Sequence, residues 1–226
     1  MKESPKYPNR CVIILSGGMD STTLLYKILQ EKKEVYALSF NYGQKHKKEL
    51  EYAKKTCQSL KISHKIIELN SLTNAGLFGQ SSLTSSETVP EGHYAAENMK
   101  STVVPNRNMI MLSMAVAYAI SLDCGAVFYG AHAGDHAIYP DCRPIFVERM
   151  QLAAEVCHYF PVQIIAPYLH QNKGDIVAEG TKLGVNYAQT WTCYKGGEKA
   201  CGKCGSCTER LEAFKQNGIQ DPLPYE

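Results

Sequence analysis

The 226-residue sequence has no run of about 18 apolar residues, the minimum for a membrane-crossing helix, and no transmembrane segment is expected. Its opening stretch, Met1 to Arg10, has no apolar core of the secretory kind, and Cys11 to Leu15 is too short to supply one. A cytoplasmic protein is therefore expected. Neither sign of charge is in excess: 24 Lys and Arg stand against 22 Asp and Glu. That balance neither demands nor excludes an anionic partner, and it counts against a dedicated nucleic-acid binder. Both common phosphate fingerprints, G-x-x-x-x-G-K-[ST] and G-x-G-x-x-G, are missing. The nine cysteines do not suit a disulfide scaffold in such a chain and point to metal or free thiols. Cys57, Cys124 and Cys157 sit among apolar neighbours and are expected to be small buried hydrophobes. With 44% hydrophobic residues, the chain can bury a full core as one large domain or one domain with an appendage.

What is present begins at Ser16-Gly17-Gly18-Met19-Asp20-Ser21, after the apolar run Cys11 to Leu15 and before the helical stretch Thr22 to Leu29. The order predicts a buried strand, a glycine turn and a helix start. Glycines let backbone amides approach a ligand, and a helix N-terminus offers unpaired N–H groups at the positive end of its dipole. Ser16, Ser21 and Thr22 add hydroxyls, so the turn suits phosphate, and pyrophosphate best. An acidic Asp20 there makes sense if a metal ion accompanies the phosphates. S-G-G-x-D-S resembles the signature of the N-type ATP pyrophosphatases, and Leu15, Ser16, Gly17, Gly18, Met19, Asp20, Ser21, Thr22, Thr23, Leu24 and Leu25 form the expected ATP-binding stretch.

Further along, Val35–Phe40 and His64–Leu69 read as strands, with an amphipathic helix from His46 to Leu60 between them. The alternation predicts an α/β fold, a doubly wound parallel sheet whose ligands bind at the carboxyl ends of its strands. Residues 70–102 lose apolar periodicity, which leaves a lid, a partner-binding arm or a disordered segment open. Pro105 precedes a buried helix from Met109 to Leu122, and Arg107 at its start suits a phosphate or carboxylate. Ala126–Gly130 is a strand that empties into Ala131–Pro144, a loop rich in polar and aromatic groups. There Asp135 and Asp141 are candidates to accept from the N–H edge of a purine-like ring, with Tyr139 to stack on it. A helix from Ile145 to Phe160, a strand from Val162 to Pro167 and a helix capped by Asn172 complete the pattern.

Cys193-x₇-Cys201-x₂-Cys204-x₂-Cys207 can close a tetrahedral thiolate site. Structural Zn²⁺ is the main reading and an iron–sulfur cluster the alternative. The helix Thr208 to Gln216 would pack on this knot. Domain boundaries at 1–184, for a nucleotide-binding unit, and 185–226, for the metal-binding segment, are expected.

Together, Leu15–Thr23, Asn41-Tyr42-Gly43-Gln44, Val104–Asn108, Tyr139–Arg143, Thr192-Cys193-Tyr194 and the three closing cysteines resemble the QueC family of 7-cyano-7-deazaguanine synthases, over nearly the whole length. The resemblance implies an AMP-forming ligase that adenylates 7-carboxy-7-deazaguanine, takes ammonia to the amide, and uses a second ATP to reach the nitrile. It implies ATP with Mg²⁺ at Ser16, Gly17, Gly18, Asp20 and Ser21, and Zn²⁺ at the four cysteines. It makes Asp20, Ser21 and Arg107 the catalytic candidates, and it turns Arg107, Asn108, Asp135, Tyr139, Asp141 and Arg143 toward the second substrate. A homodimer is the family expectation. Two rivals remain. One is a tRNA-modifying thiolase of the same superfamily, with Cys142 as its loop nucleophile. The other is a zinc-knuckle nucleic-acid binder, which leaves the Ser16 turn unexplained.

Overall fold

The structure, a computed structural model, describes residues 7–31 and 33–226; Met1 to Lys6, part of the stretch read for a leader, lie outside the described residues. The chain runs β1 (Tyr7–Ile14), α1 (Met19–Gln30), β2 (Glu34–Asn41), α2 (Lys48–Leu60), β3 (Ser63–Glu68) and α3 (Asn70–Asn74). It continues through α4 (Arg107–Ser121), β4 (Cys124–Phe128), α5 (Pro144–Ala154), β5 (Gln163–Ile165), α6 (Lys173–Lys182) and α7 (Gly205–Gln216). The five strands form one sheet in the order β3-β2-β1-β4-β5, and every pairing is parallel.

Strand periodicity sorts the apolar residues onto two faces. Cys11, Ile13 and Leu15 pack with Leu24, Leu25, Ile28, Ala53, Cys57 and Ile176 under α1, α2 and α6. Val12, Leu38 and Phe40 pack on the other face with Leu112, Ala115 and Val116 of α4 and Val147 of α5. Each fully buried Val, Leu, Ile or Phe among them contributes about 1.5–3 kcal/mol, so both faces are held by helices, as a parallel sheet requires. Winding reverses at β1, whose neighbours are β2 on one side and β4 on the other. The crevice at the carboxyl ends of β1 and β4 is therefore the place for a ligand.

Four sequence expectations change. The connection over 70–102 is neither loose nor a free arm: Phe78, Leu83, Tyr94 and Met99 are buried in the larger core. The helix expected over Ile145 to Phe160 ends at Ala154, because the chain must turn there to bring Gln163–Ile165 into the sheet beside β4, with Val162 and Ile164 in the core. Cys157 falls in that turn and is exposed, unlike the buried Cys57 and Cys124. The closing helix starts at Gly205, not Thr208, so that Cys204 is its N-cap and Cys207 lies in its first turn. Among the described residues no helix is long and apolar enough to cross a membrane.

Candidate active site

At the end of β1 the chain turns through Gly17, whose φ of +90° and close neighbours leave no room for a side chain. A Cβ there would lie 2.0 Å from the Glu49 carbonyl oxygen. Gly18 caps α1, and Ser16 knits the turn: its Oγ accepts from the Gly18 N–H at 3.1 Å and lies 3.0 Å from the Ser21 Oγ. The Gly17 carbonyl accepts from the Trp191 N–H at 2.9 Å, which ties the turn to the C-terminal segment.

This turn forms one wall of a cavity of about 230 Å³. Leu15, Ser16, Gly18, Met19, Asp20 and Ser21 line it, as do Arg107, Asn108, Asp135 and Tyr139. The remaining expected residues lie elsewhere. Leu24 and Leu25 are core residues, and Thr23 donates to the Met19 carbonyl and meets the Tyr187 hydroxyl. Thr22 is buried, and its hydroxyl has no partner among the described residues. Arg143 is exposed and donates to the His136 carbonyl. Asp141 serves α4: its Oδ2 accepts from the Asn108 N–H at 3.1 Å. Asp135 is engaged with the Tyr94 hydroxyl at 2.8 Å and the His132 N–H at 3.2 Å.

Two cations line the cavity. Arg107 begins α4 after Asn106, which takes the left-handed conformation (φ 58°) that asparagine tolerates. Its guanidinium donates to the Tyr42 hydroxyl at 3.3 Å and forms no ion pair among the described residues. Burial disfavours its charge, but Tyr42, Asp141 and Cys142 outweigh that and raise its pKa. Beside it, burial pushes the Glu49 carboxyl up to about 8 against the Gln44 bond and the Arg107 charge. Burial likewise drives His46 down to about 3. The His46 Nε2 lies 3.5 Å from the Glu49 Oε1, and burial favours the neutral form of both groups beside Arg107.

The second cation, Lys173, lies between Asp20 (3.4 Å) and Glu209 (2.7 Å). Burial works against its ammonium, while Asp20, Glu209 and Asp135 more than offset it. His132, Lys173 and Tyr94 surround Asp135, where burial raises the carboxyl pKa but His132 and Lys173 bring it below the usual range. The Asp20 Oδ1 is buried without a partner among the described residues, a carboxylate oxygen fit to ligate a divalent cation. Sequence reading missed Lys173, His132, Glu49, Tyr94 and Tyr194. Asn172, the predicted cap, was the available pointer to Lys173, because a cap fixes where the next residue emerges.

The C-terminal segment closes the cavity with Trp191, Thr192 and Tyr194. Between them, Cys193 joins Cys201, Cys204 and Cys207, all buried, with sulfurs within 4.8 Å of one another. Tetrahedral zinc at about 2.3 Å from each thiolate would set the sulfurs about 3.8 Å apart, and Cys201 and Cys207 are 4.0 Å apart. Backbone N–H groups of Lys203 and Cys204 point at the Cys201 sulfur (3.4 and 3.3 Å). The donor set fits a metal. Arg210, fully buried, joins Asp221 through two bonds (2.7 and 2.9 Å) and locks α7 to the tail.

Cys142 is a poor nucleophile: burial raises its thiol, and its sulfur accepts from Asn108 at 3.3 Å. The four-cysteine knot is folded against the main sheet's helices, with Lys48 over the Trp191 ring at 4.2 Å, and is no free knuckle. Both observations disfavour the two rival readings.

A family model described as "Queuosine biosynthesis protein QueC" matches residues 10–218. The chain is 63% identical over 219 residues to the 7-cyano-7-deazaguanine synthase of Hahella chejuensis, covering 97% of this chain and 94% of that protein. It is 58% identical over 218 residues to the protein of the same name from Caldicellulosiruptor saccharolyticus, covering 96% of each. Among solved structures, NMN synthetase from Francisella tularensis shares the fold (TM-score 0.53, 16% identity, 93% of this chain and 77% of that one). The U34-tRNA thiolase NcsA from Methanococcus maripaludis does so as well (TM-score 0.50, 16% identity, 94% and 68%).

Proposed function

The chain belongs to the QueC family, and from that premise we propose that it is a 7-cyano-7-deazaguanine synthase, an AMP-forming ligase acting on 7-carboxy-7-deazaguanine and ammonia. The observation that carries the reading is one cavity lined both by a phosphate-type turn and by a half-buried guanidinium that forms no ion pair among the described residues. ATP would lie with its phosphates on Ser16, Gly17, Gly18, Asp20 and Ser21. Asp20 would hold Mg²⁺, which supplies charge neutralisation on the phosphates. Zn²⁺ at Cys193, Cys201, Cys204 and Cys207 would be structural, since four thiolates leave no open position.

A carboxylate is a poor electrophile, and adenylation makes its oxygen a leaving group. The carboxylate oxygen attacks the α-phosphorus, the bond to the bridging oxygen breaks, and pyrophosphate departs with the electron pair. Ammonia then adds to the acyl carbon, loses a proton, and AMP leaves. The amide oxygen is adenylated in turn by a second ATP. Loss of AMP and of the remaining protons on nitrogen gives the nitrile. Arg107 orients the substrate carboxylate and supplies a fixed positive charge beside the His46–Glu49 pair, whose neutral forms burial favours. The turn's N–H groups and hydroxyls hold the phosphates. The protein's part is positioning and fixed charge.

The proposal extends to residues 1–184 as the nucleotide-binding unit with 185–226 packed on it, to a cytoplasmic protein, and to a homodimer. For the dimer, exposed Ile145, Leu152, Val156 and Tyr159 offer an apolar surface on and after α5. The reading is tested by incubating the protein with ATP, Mg²⁺, ammonium and 7-carboxy-7-deazaguanine and following AMP and nitrile by mass spectrometry. Nitrile with AMP is expected. AMP without nitrile would replace the acceptor, and no AMP would overturn the ligase.

A further inference from the structure

Ammonium has no lone pair, so it must give up a proton before its nitrogen can attack an acyl carbon. Two acids of the cavity are already engaged: Asp20 faces Lys173, and Asp135 takes the Tyr94 hydroxyl. Glu49, in the first turn of α2 and also lining the cavity, stands beside Arg107 instead. Its Oε1 accepts from the Gln44 Nε2 at 3.3 Å and lies 3.5 Å from the His46 Nε2. Gln44 is itself held, donating to the Phe40 carbonyl (3.1 Å) and accepting from the Tyr42 N–H (2.9 Å). His46 is 5% exposed, lines the same cavity and packs its ring on Tyr194, 5.4 Å between centres. With the Nε2 proton turned toward Glu49, its Nδ1 is a bare acceptor, and that atom is buried with no partner among the described residues. A buried acceptor left unpaired is costly unless a ligand fills it. A carboxylate and an imidazole nitrogen, side by side, suit a small donor with several N–H bonds.

We propose that Glu49 and His46 form the ammonia site: the Glu49 carboxylate is a catalytic residue that takes a proton from ammonium, and the His46 Nδ1 accepts from the resulting ammonia and holds it beside the acyl carbon. This rests on the AMP-forming reading of the cavity. The ammonium N–H bond breaks, its electron pair stays on nitrogen, and the proton forms an O–H bond on Glu49. The nitrogen attacks the acyl carbon of the adenylate, and the bond from that carbon to the phosphate oxygen breaks. AMP leaves with that pair, and its phosphate takes the second proton, which leaves the amide with two N–H bonds. Glu49 returns its proton to water when the product departs. The groups that face Glu49 are Arg107 of α4 and Tyr42, Gln44 and His46 of the connection between β2 and α2. Arg107 sets the order of events. A substrate carboxylate on the guanidinium offsets its charge and keeps Glu49 protonated. Adenylation removes that carboxylate charge, and Arg107 then favours the ionised Glu49. The base is thus freed once the acyl carbon has become an electrophile. A native carboxyl pushed up to about 8 is poised near the operating pH, as a proton-transfer group should be.

The test uses the full chain with its metal retained, magnesium ATP and 7-carboxy-7-deazaguanine, with two readouts. Exchange of labelled pyrophosphate into ATP without ammonium reads adenylation. Amide and nitrile formation over an ammonium series reads the nitrogen step, from neutral pH up to where ammonia is largely unprotonated in water. Glu49→Gln is expected to lower kcat/KM for ammonium by about a hundredfold at neutral pH, the lower end of a general base's share, and to lower exchange at least about tenfold less. The ammonium deficit is expected to close as pH rises, because the solution then supplies neutral ammonia directly. His46→Phe, which keeps a ring against Tyr194, is expected to raise the KM for ammonium. Should Glu49→Gln not fold, Glu49→Asp draws the carboxyl back from the cavity and is expected to lower the nitrogen step more than exchange. A Glu49→Gln deficit that is absent, equal in both readouts or unchanged with pH overturns the proposal, as does an unchanged ammonium KM in His46→Phe. Wild type that shows no exchange with this acceptor overturns the ligase reading and the proposal with it. Exchange in wild type with any of the preceding contrary results overturns the proposal alone.

Discussion

Arg107 and Glu49 show how burial selects charge at single positions. Arg107 stays charged in a wall where the adjacent acid and imidazole do not. Arg107→Met should therefore reduce kcat/KM for the carboxylate substrate by about 10²–10³, the range for loss of one buried, aimed donor, with a melting temperature near wild type. Steady-state kinetics and a thermal melt check this together. Glu49 makes a pH prediction. Its native carboxyl titrates at about 8, above the unfolded value of about 4.3. The native state therefore holds a proton that the unfolded state releases, and stability is lost as pH rises from about 4.3 through 8. Glu49→Gln removes that loss. Its stability advantage over wild type should grow between pH 5.5 and 8, to the order of a few kcal/mol, as followed by urea denaturation at each pH. An advantage that stays flat with pH would contradict the assignment.

At the scale of elements, the glycine turn carries the strongest constraint. Gly17→Ala would combine a positive φ with a Cβ 2.0 Å from the backbone of α2, a contact that no side-chain rotation can relieve. Loss of about 2 kcal/mol or more is expected, together with loss of nucleotide binding, as read by denaturation and ATP titration. This part of the site was legible in sequence because local chemistry dictates it: a strand, two glycines, hydroxyls and a helix start fall within one window. The helix start at Arg107 was legible for the same reason. The polar loop was less so. Asp135 and Asp141 look like free acceptors in sequence, but the fold engages one with Tyr94 and His132 and the other with the start of α4. Lys173 was missed because its partners lie on α1 and α7, and Tyr94 because its segment has no periodicity; only tertiary packing joins them. The end of α5 was misplaced because its apolar pattern continues past the residue where the chain must turn toward β5.

For the whole molecule, the C-terminal segment is both a structural knot and a wall of the cavity. Thr192 and Tyr194, on either side of Cys193, line the pocket, so the four-cysteine cluster and the cavity share backbone. The purified protein should contain about one zinc per chain, the complement of a closed four-thiolate shell. Removing it with a chelator should lower the melting temperature and weaken 7-carboxy-7-deazaguanine binding together; elemental analysis with calorimetry checks both. Replacing Arg210 by Met would leave Asp221 buried without its partner, a change expected to cost about 3–5 kcal/mol in a denaturation series. The α/β architecture and parallel sheet could be read from alternating strands and helices. The placement of the knot against the turn, through Trp191 to Gly17 and Lys48 over Trp191, could not, because it depends on contacts between distant segments.

The central claim is that one cavity activates the same carbon twice, first as carboxylate and then as amide. The most direct measurement is the ratio of AMP to nitrile formed from 7-carboxy-7-deazaguanine, ATP and ¹⁵N-ammonium, quantified by mass spectrometry. Two AMP for each nitrile, with ¹⁵N in the nitrile, is the predicted result. One AMP with the reaction halted at the amide, or AMP released with no new carbon–nitrogen bond, would contradict the account.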